Sequence, residues 1–363
     1  MTNSQSVFPT KKPQIHLIWQ VNPETTLESD WLYSLFPNFD VQSIEDSQHS
    51  AVMDNAIVVT SGNDINGISV KQYLTRFKAA GYRVGVIHLS DEWFTYPIDF
   101  YPDAAFVLRN FYRDDAFRHP HVYFIPLGYK RGLHQHITPD RPMRDRQHSW
   151  SFAGSIAGKI SRRHMMASAN RLPGGIAYIS GNAFNDSSNL SFEGYAKLMS
   201  NTVFALSPGG NRCVETLRVY EAMEAGAIPV VEDASRFNIL KGILKEIIKP
   251  KEFLRYKVWT WGYWRSNFAR LVAPSYWLQV YGANFPCPRC SDWTQLDQLL
   301  ATIDPDTKAQ EVQAFWQGYK EFLRKQISAI VTRSFFTSMD TQALSQASPP
   351  SAPAATPVAV GES

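Results

Sequence analysis

Residues 203–233 run VFALSPGGNRCVETLRVYEAMEAGAIPVVED. The runs Val203–Pro208 and Ala227–Glu232 are short and apolar without alternation, the pattern of parallel strands covered on both faces. Val214–Glu224 between them has helical character and meets a stop at Gly226, so the unit is strand, loop, helix, strand. Gly209 and Gly210 are expected to supply the positive φ and close backbone approach of a phosphate-cradling loop, with Asn211 and Thr216 as its polar side chains. A helix starting near Val214 would then aim its first N–H groups at an anion. Arg218 and Glu221, three residues apart, share a helix face. The guanidinium can fork onto a diphosphate and the carboxylate can accept from ribose hydroxyls, although a plain surface ion pair has the same spacing.

The rest of the chain repeats this alternation of buried strands and helices. Ahead of the 203–233 unit lie IHLIW (15–19), AIVVT (56–60), RVGVIHL (83–89), AAFVLR (104–109), VYFIPLG (122–128), WSFAG (150–154) and GIAYIS (175–180). Val70, Tyr73, Leu74 and Phe77 form the i, i+3, i+4, i+7 stripe of a helix lying on a sheet. Further helices are expected near 162–169, 192–199 and 237–248. The chain of 363 residues has room for roughly two domains, each with its own core. Residues 130–148 hold four Arg, two Asp and two Pro with little that is apolar, which places a polar linker there. The expected plan is a disordered start (1–12), an acceptor-side Rossmann-like domain (13–129), the linker, a nucleotide-sugar domain (149–337) and a disordered Ser/Ala/Pro-rich tail (338–363). Two parallel α/β sheets would face a central cleft, with ligands at the carboxyl ends of the strands.

Composition narrows the function classes. A net charge of +3 is too small for a nucleic-acid-wrapping protein, so nucleic acid is not the expected partner. Cys213, Cys287 and Cys290 are too few for a disulfide framework and suggest a reducing, cytoplasmic compartment. The polar start and the lack of ~18 consecutive apolar residues suggest a soluble protein. Cys287-Pro288-Arg289-Cys290 has zinc-knuckle spacing but no second ligand pair, so chance or a labile disulfide explains it better. No HExxH, GxSxG or GxxxxGK[ST] motif occurs, and no metal or resident cofactor is expected.

Three features besides the 203–233 unit invite a role. Phe152-Ala153-Gly154-Ser155 precedes a helix bearing Lys159, Arg162 and Arg163, a small-residue turn ahead of a basic helix and hence a second anion seat. Asp91 and Glu92 follow a strand end in the first half, the position for a general base that deprotonates an acceptor hydroxyl, and equally that of a helix-capping pair. Residues 236–270 carry nine Lys/Arg against two Glu, interleaved with Tyr256, Trp259, Trp261, Tyr263 and Trp264. Such a patch suits an anionic acceptor, sugar stacking, or docking to the anionic inner face of a membrane, the bland alternative being a basic helix beside core aromatics.

The stretch Pro208–Gly210, Thr216-Leu217-Arg218-Val219-Tyr220-Glu221-Ala222 and Gly226-Ala227-Ile228-Pro229-Val230 resembles the nucleotide-sugar signature of the exostosin-like glycosyltransferases. HLSDEWF (88–94), VLRNFYR (107–113) and IPLGY (125–129) resemble the subgroup near the ribitol-phosphate xylosyltransferases. The resemblance implies a GT-B fold and an inverting, metal-independent transfer from a UDP-sugar to a hydroxyl of a glycan, glycolipid or polyol phosphate. It implies that Arg218 holds the diphosphate and Glu221 the ribose. A carbohydrate-binding or scaffolding relative that keeps the fold without a working base is the alternative.

Overall fold

The computed structural model describes residues 11–337 except 25, 47, 63–67, 157–159, 181–189, 211–212, 234–239, 241–243, 245–246, 249–260 and 262–274. In the first half, β1 (Gln14–Trp19), α1 (Ser29–Ser34), β2 (Asp40–Glu45), β3 (Ala56–Thr60), α2 (Val70–Ala79), β4 (Val84–His88), β5 (Phe106–Arg109) and β6 (Val122–Phe124) follow in order. Their strands form one sheet in the order β2-β1-β3-β4-β5-β6, with every pair parallel. β3 and β4 are buried at every residue, which is why AIVVT and VGVIH show no polar alternation. β2 was not foreseen: DVQSIE is an edge strand, mostly exposed, with no apolar run to betray it. α2 starts in a capping box in which the Ser69 hydroxyl accepts from Gln72 N–H and the Gln72 side chain answers to Ser69 N–H.

The second half comprises β7 (His148–Gly154), α3 (Ile160–Ala169), β8 (Ile176–Ile179), α4 (Phe192–Ser200), β9 (Thr202–Ser207), α5 (Leu217–Glu224) and β10 (Ile228–Glu232). After these come α6 (Tyr276–Tyr281), β11 (Arg289–Cys290), α7 (Leu296–Ala301) and α8 (Pro305–Val331). This sheet has the order β11-β10-β9-β7-β8 and is parallel throughout. Two parallel α/β sheets are thus present, as the alternation of strands and helices required.

Two segments depart from the expected plan. Residues 130–148 are a packed junction rather than a loosely contacted linker. Leu133 is fully buried, and the Arg146 guanidinium donates to the carbonyls of Arg141, Met199, Thr202, Pro139 and Ala225. The planar five-donor fork of arginine does here what apolar side chains do elsewhere, and burial lowers its pKa to about 10. The second departure is α8, whose 27 residues cross from one half to the other. Near its middle Trp316 and Lys320 donate to Glu224 of α5, both at 2.8 Å. Further along, Arg324 donates to the Ser34 carbonyl at 3.0 Å, and Phe335 beyond its end packs on Phe106 of β5. The second domain expected over 149–337 therefore hands its last turns to the first sheet. Trp31 of α1 stacks on Trp316 with ring centres 5.6 Å apart.

Candidate functional site

The candidate residues cluster at the carboxyl ends of strands from both sheets. On the second sheet, the chain leaves β9, passes Gly209 and Gly210, and enters α5 at Leu217, three residues later than Val214. Neither glycine has positive φ, contrary to expectation. What each provides is room. A Cβ on Gly210 would lie 2.4 Å from Glu92 Oε1, and one on Gly209 would lie 3.3 Å from Glu232 Oε2. Gly209 N–H donates to that Glu232 oxygen at 2.7 Å.

Arg162 braces the same loop from the other side. Its Nη2 and Nε donate to the Gly209 carbonyl at 2.9 and 3.3 Å, and its Nη1 to the Ser155 carbonyl at 2.7 Å. Burial first, and then the neighbouring Arg218 charge, lower its pKa to about 10. Arg162 thus shapes the loop. Arg163, expected beside it, is exposed on the outer face of α3 and takes no part. Asn211 and Lys159 lie outside the described residues, as does the 236–270 patch apart from Leu240, Leu244, Ile247, Ile248 and Trp261, which are exposed.

Arg218 draws the two second-half motifs together. Its Nη2 donates to the Ala153 carbonyl at 2.8 Å, and its guanidinium lies over the Phe152 ring, 4.9 Å from the centroid. Gly154 has φ +147°, and a Cβ there would come within 2.8 Å of Nη2, so only glycine leaves the guanidinium its seat. Arg218 Nε and Nη1 are buried without any protein partner. Glu221, one turn on, is 2% exposed. Its Oε2 accepts from the Tyr195 hydroxyl at 2.6 Å, while Oε1 has no partner. Thr216, the N-cap of α5, likewise leaves Oγ1 buried and unpaired. Buried polar groups are normally satisfied, so a run of open ones along one helix start makes this a candidate ligand site.

On the first sheet the loop after β4 is held by a buried polar network. Asp91 is 1% exposed, and its Oδ2 accepts from Arg109 at 2.7 Å, with Arg113 at 3.6 Å. Its Oδ1 accepts from the N–H groups of Thr95 and Tyr96. Arg109 also donates to Tyr101 at 2.8 Å and to His88 Nδ1 at 3.1 Å. Nδ1 accepts there and Nε2 faces the Ser61 carbonyl, so His88 carries its proton on Nε2. Burial and Arg109 keep this histidine neutral, with its pKa well below the ordinary value. With both oxygens committed, Asp91 is a scaffold residue, not the free base that the sequence left open. Ser90 and Phe94, with φ of +67° and +55°, bend the loop around it. Glu92 is half-buried and reaches across to Gly210, close enough to bear electrostatically on Arg162. Of the Asp91/Glu92 pair, Glu92 is the one that faces the Gly209–Gly210 loop.

A second carboxylate ties the halves. Glu215 is 1% exposed and accepts from Leu127 N–H at 3.1 Å, from Tyr220 at 2.5 Å and from Tyr276 at 2.6 Å. Burial raises its pKa, and these donors, with Phe111 N–H, oppose the rise. Glu28 faces Glu215 and Glu221, and burial raises its pKa to about 7. Sequence reasoning missed Glu215, Tyr195 and Glu232. Each is an ordinary residue in an ordinary segment, and only the meeting of distant strands reveals it. Cys213, Cys287 and Cys290 are buried free thiols, so no disulfide joins the CxxC pair.

Among known families, the model described as "RXYLT1 C-terminal domain" matches residues 133–247. That span, less than half the chain, contains Gly154, Arg162, Gly209 and α5 with Arg218 and Glu221. No curated protein matches the chain. Among solved structures, one titled "Crystal Structure of alpha1,3-Fucosyltransferase" is 12% identical, covers 63% of this chain and 71% of that chain, and superposes with a TM-score of 0.38.

Proposed function

We propose that the chain is an inverting glycosyltransferase of GT-B type that moves a sugar from a UDP-sugar to a hydroxyl of a glycan, glycolipid or polyol phosphate. The observation that carries this reading is the pair of buried open groups one turn apart on α5: two nitrogens of Arg218 and Oε1 of Glu221. A guanidinium with free donors suits a diphosphate, and a carboxylate with one free oxygen suits the ribose hydroxyls. The match to the model described as "RXYLT1 C-terminal domain" over the same residues supports the same ligand class.

In the proposed reaction Glu92 takes the proton from the acceptor hydroxyl as that oxygen attacks the anomeric carbon. The bond from the anomeric carbon to the diphosphate oxygen breaks on the opposite face, and UDP leaves. Arg218, fixed by Ala153 and Phe152 before the ligand arrives, meets the charge that develops on the diphosphate.

Calorimetric titration with UDP tests the donor site. Arg218→Ala and Glu221→Ala are each expected to weaken UDP binding about ten- to a hundredfold with folding preserved, since charge-assisted hydrogen bonds contribute ~1.5–3 kcal/mol. Wild-type affinity in both variants would remove the reading, and UDP binding without transfer to any acceptor would favour the scaffolding relative. A companion expectation concerns metals. Because Arg218 and the start of α5 supply positive charge to the leaving group, transfer should persist in EDTA, and an absolute need for manganese or magnesium would count against this donor site.

A further inference from the structure

Asn110 follows β5 directly and is 1% exposed, yet neither Oδ1 nor Nδ2 has a partner in the protein. Several other buried atoms among the described residues are open, but Asn110 is the uncharged side chain that leaves both of its polar atoms so. An amide buried in this state costs stability, and that cost needs a return.

Its position indicates what the return is. Asn110 N–H donates to the His88 carbonyl and so extends the β4–β5 ladder by one residue. With the alternation of a strand, residue 110 shares a face with Phe106 and Leu108. That face belongs to the large core cluster that continues into the second half through Val214 and Tyr220, whereas Val107 belongs to the separate cluster around α2. On one side of Asn110, Arg109 holds Asp91, the neighbour of Glu92. On the other, Phe111, with φ +56°, has its N–H close enough to Glu215 to oppose the rise in that carboxyl's pKa, and Glu215 precedes Thr216 and α5. Asn110 therefore sits between the loop of the proposed base and the start of the proposed diphosphate site.

We propose that Asn110 is a substrate-binding residue, whose amide gives one hydrogen bond to, and takes one from, hydroxyls of the sugar ring lying between Glu92 and Arg218. The inference rests on the glycosyltransferase reading and adds a contact from the acceptor-side sheet. A carboxamide presents a donor and an acceptor in either orientation, which matches two neighbouring hydroxyls, each able to give or take. A diphosphate would call for donors alone, and an apolar ligand for neither.

The test compares the full chain with Asn110→Leu, a change of similar volume. UDP affinity, UDP release from UDP-glucose and UDP-xylose without acceptor, transfer to added glycoside acceptors, and melting temperature are measured. Free UDP carries no sugar ring, so its affinity should change by less than about twofold. UDP release or transfer should fall about ten- to a hundredfold, as expected when a buried site loses its hydrogen bonds to a substrate hydroxyl. A loss in both assays places the ring in the donor, and a loss confined to transfer places it in the acceptor. The melting temperature should hold or rise by ~1–4 °C, because leucine removes an unsatisfied amide. A purely structural asparagine would show the reverse, and a lowered melting temperature or unchanged rates in both assays overturns the proposal. Should leucine prevent folding, Asn110→Ser is measured by the same criteria. Absence of UDP binding by the wild-type chain would instead overturn the nucleotide-sugar reading itself.

Discussion

Replacing Glu92 by glutamine is expected to lower sugar transfer by ~10²–10⁴-fold, the usual contribution of a general base, while UDP affinity and melting temperature stay where they are. Glutamine keeps the size of the side chain and its hydrogen-bonding reach but cannot take a proton. Glu92 is the carboxylate that crosses from the first sheet to the Gly210 backbone, and so the one to which the proposed reaction assigns the acceptor proton. Gly210→Ala should act in the same direction for a steric reason, since its Cβ would occupy the carboxylate's place. Transfer rates measured against UDP titrations separate this from a donor-binding defect. Near-normal turnover in Glu92→Gln would place the base elsewhere.

Asp91→Ala, one residue away, should do something quite different: destabilise the fold by ~3–5 kcal/mol. Arg109 has no exposed side-chain surface, and Asp91 is its carboxylate partner at 2.7 Å. Removing the acid leaves a buried guanidinium with only Tyr101, His88 and the Phe111 carbonyl as neutral acceptors. The Thr95 and Tyr96 N–H groups lose their acceptor as well. Burial of His88 excludes it as a relief, because a second positive charge beside Arg109 is disfavoured. Equilibrium unfolding in urea reads the loss directly, and a cost below ~1 kcal/mol would show that the buried Arg109 guanidinium does not depend on its Asp91 partner. Two adjacent acids of one loop would then be distinguished by kinetics for one and stability for the other.

The contrast between these neighbours shows where sequence reasoning reaches its limit. Asp91 and Glu92 share a loop and a charge, and nothing local tells the acid that holds the loop from the one that crosses to the second sheet. The difference arises because β5 delivers Arg109 beneath one and the second sheet delivers Gly210 to the other. In the same way, Arg218 and Glu221 were legible from spacing alone, since a helix period puts i and i+3 on one face. The seat that holds Arg218, built from Phe152, Ala153 and Gly154, belongs to a strand more than sixty residues away. Arg162, expected to greet an anion, spends its donors on the Gly209 and Ser155 carbonyls.

Hydrophobic patterning by itself determined the parallel strands, the two-sheet organisation and the strand–loop–helix–strand unit at 203–233, because burial on both faces writes itself into consecutive apolar residues. It could not reveal β2, the packed junction held by Arg146, or the crossing of α8 from one sheet to the other. These depend on polar and edge segments whose partners are distant in the chain, and the energy that holds them exists only once the partners have met. Which of the candidate polar atoms are spent on the fold, and which stay open, was therefore decided by the tertiary structure alone.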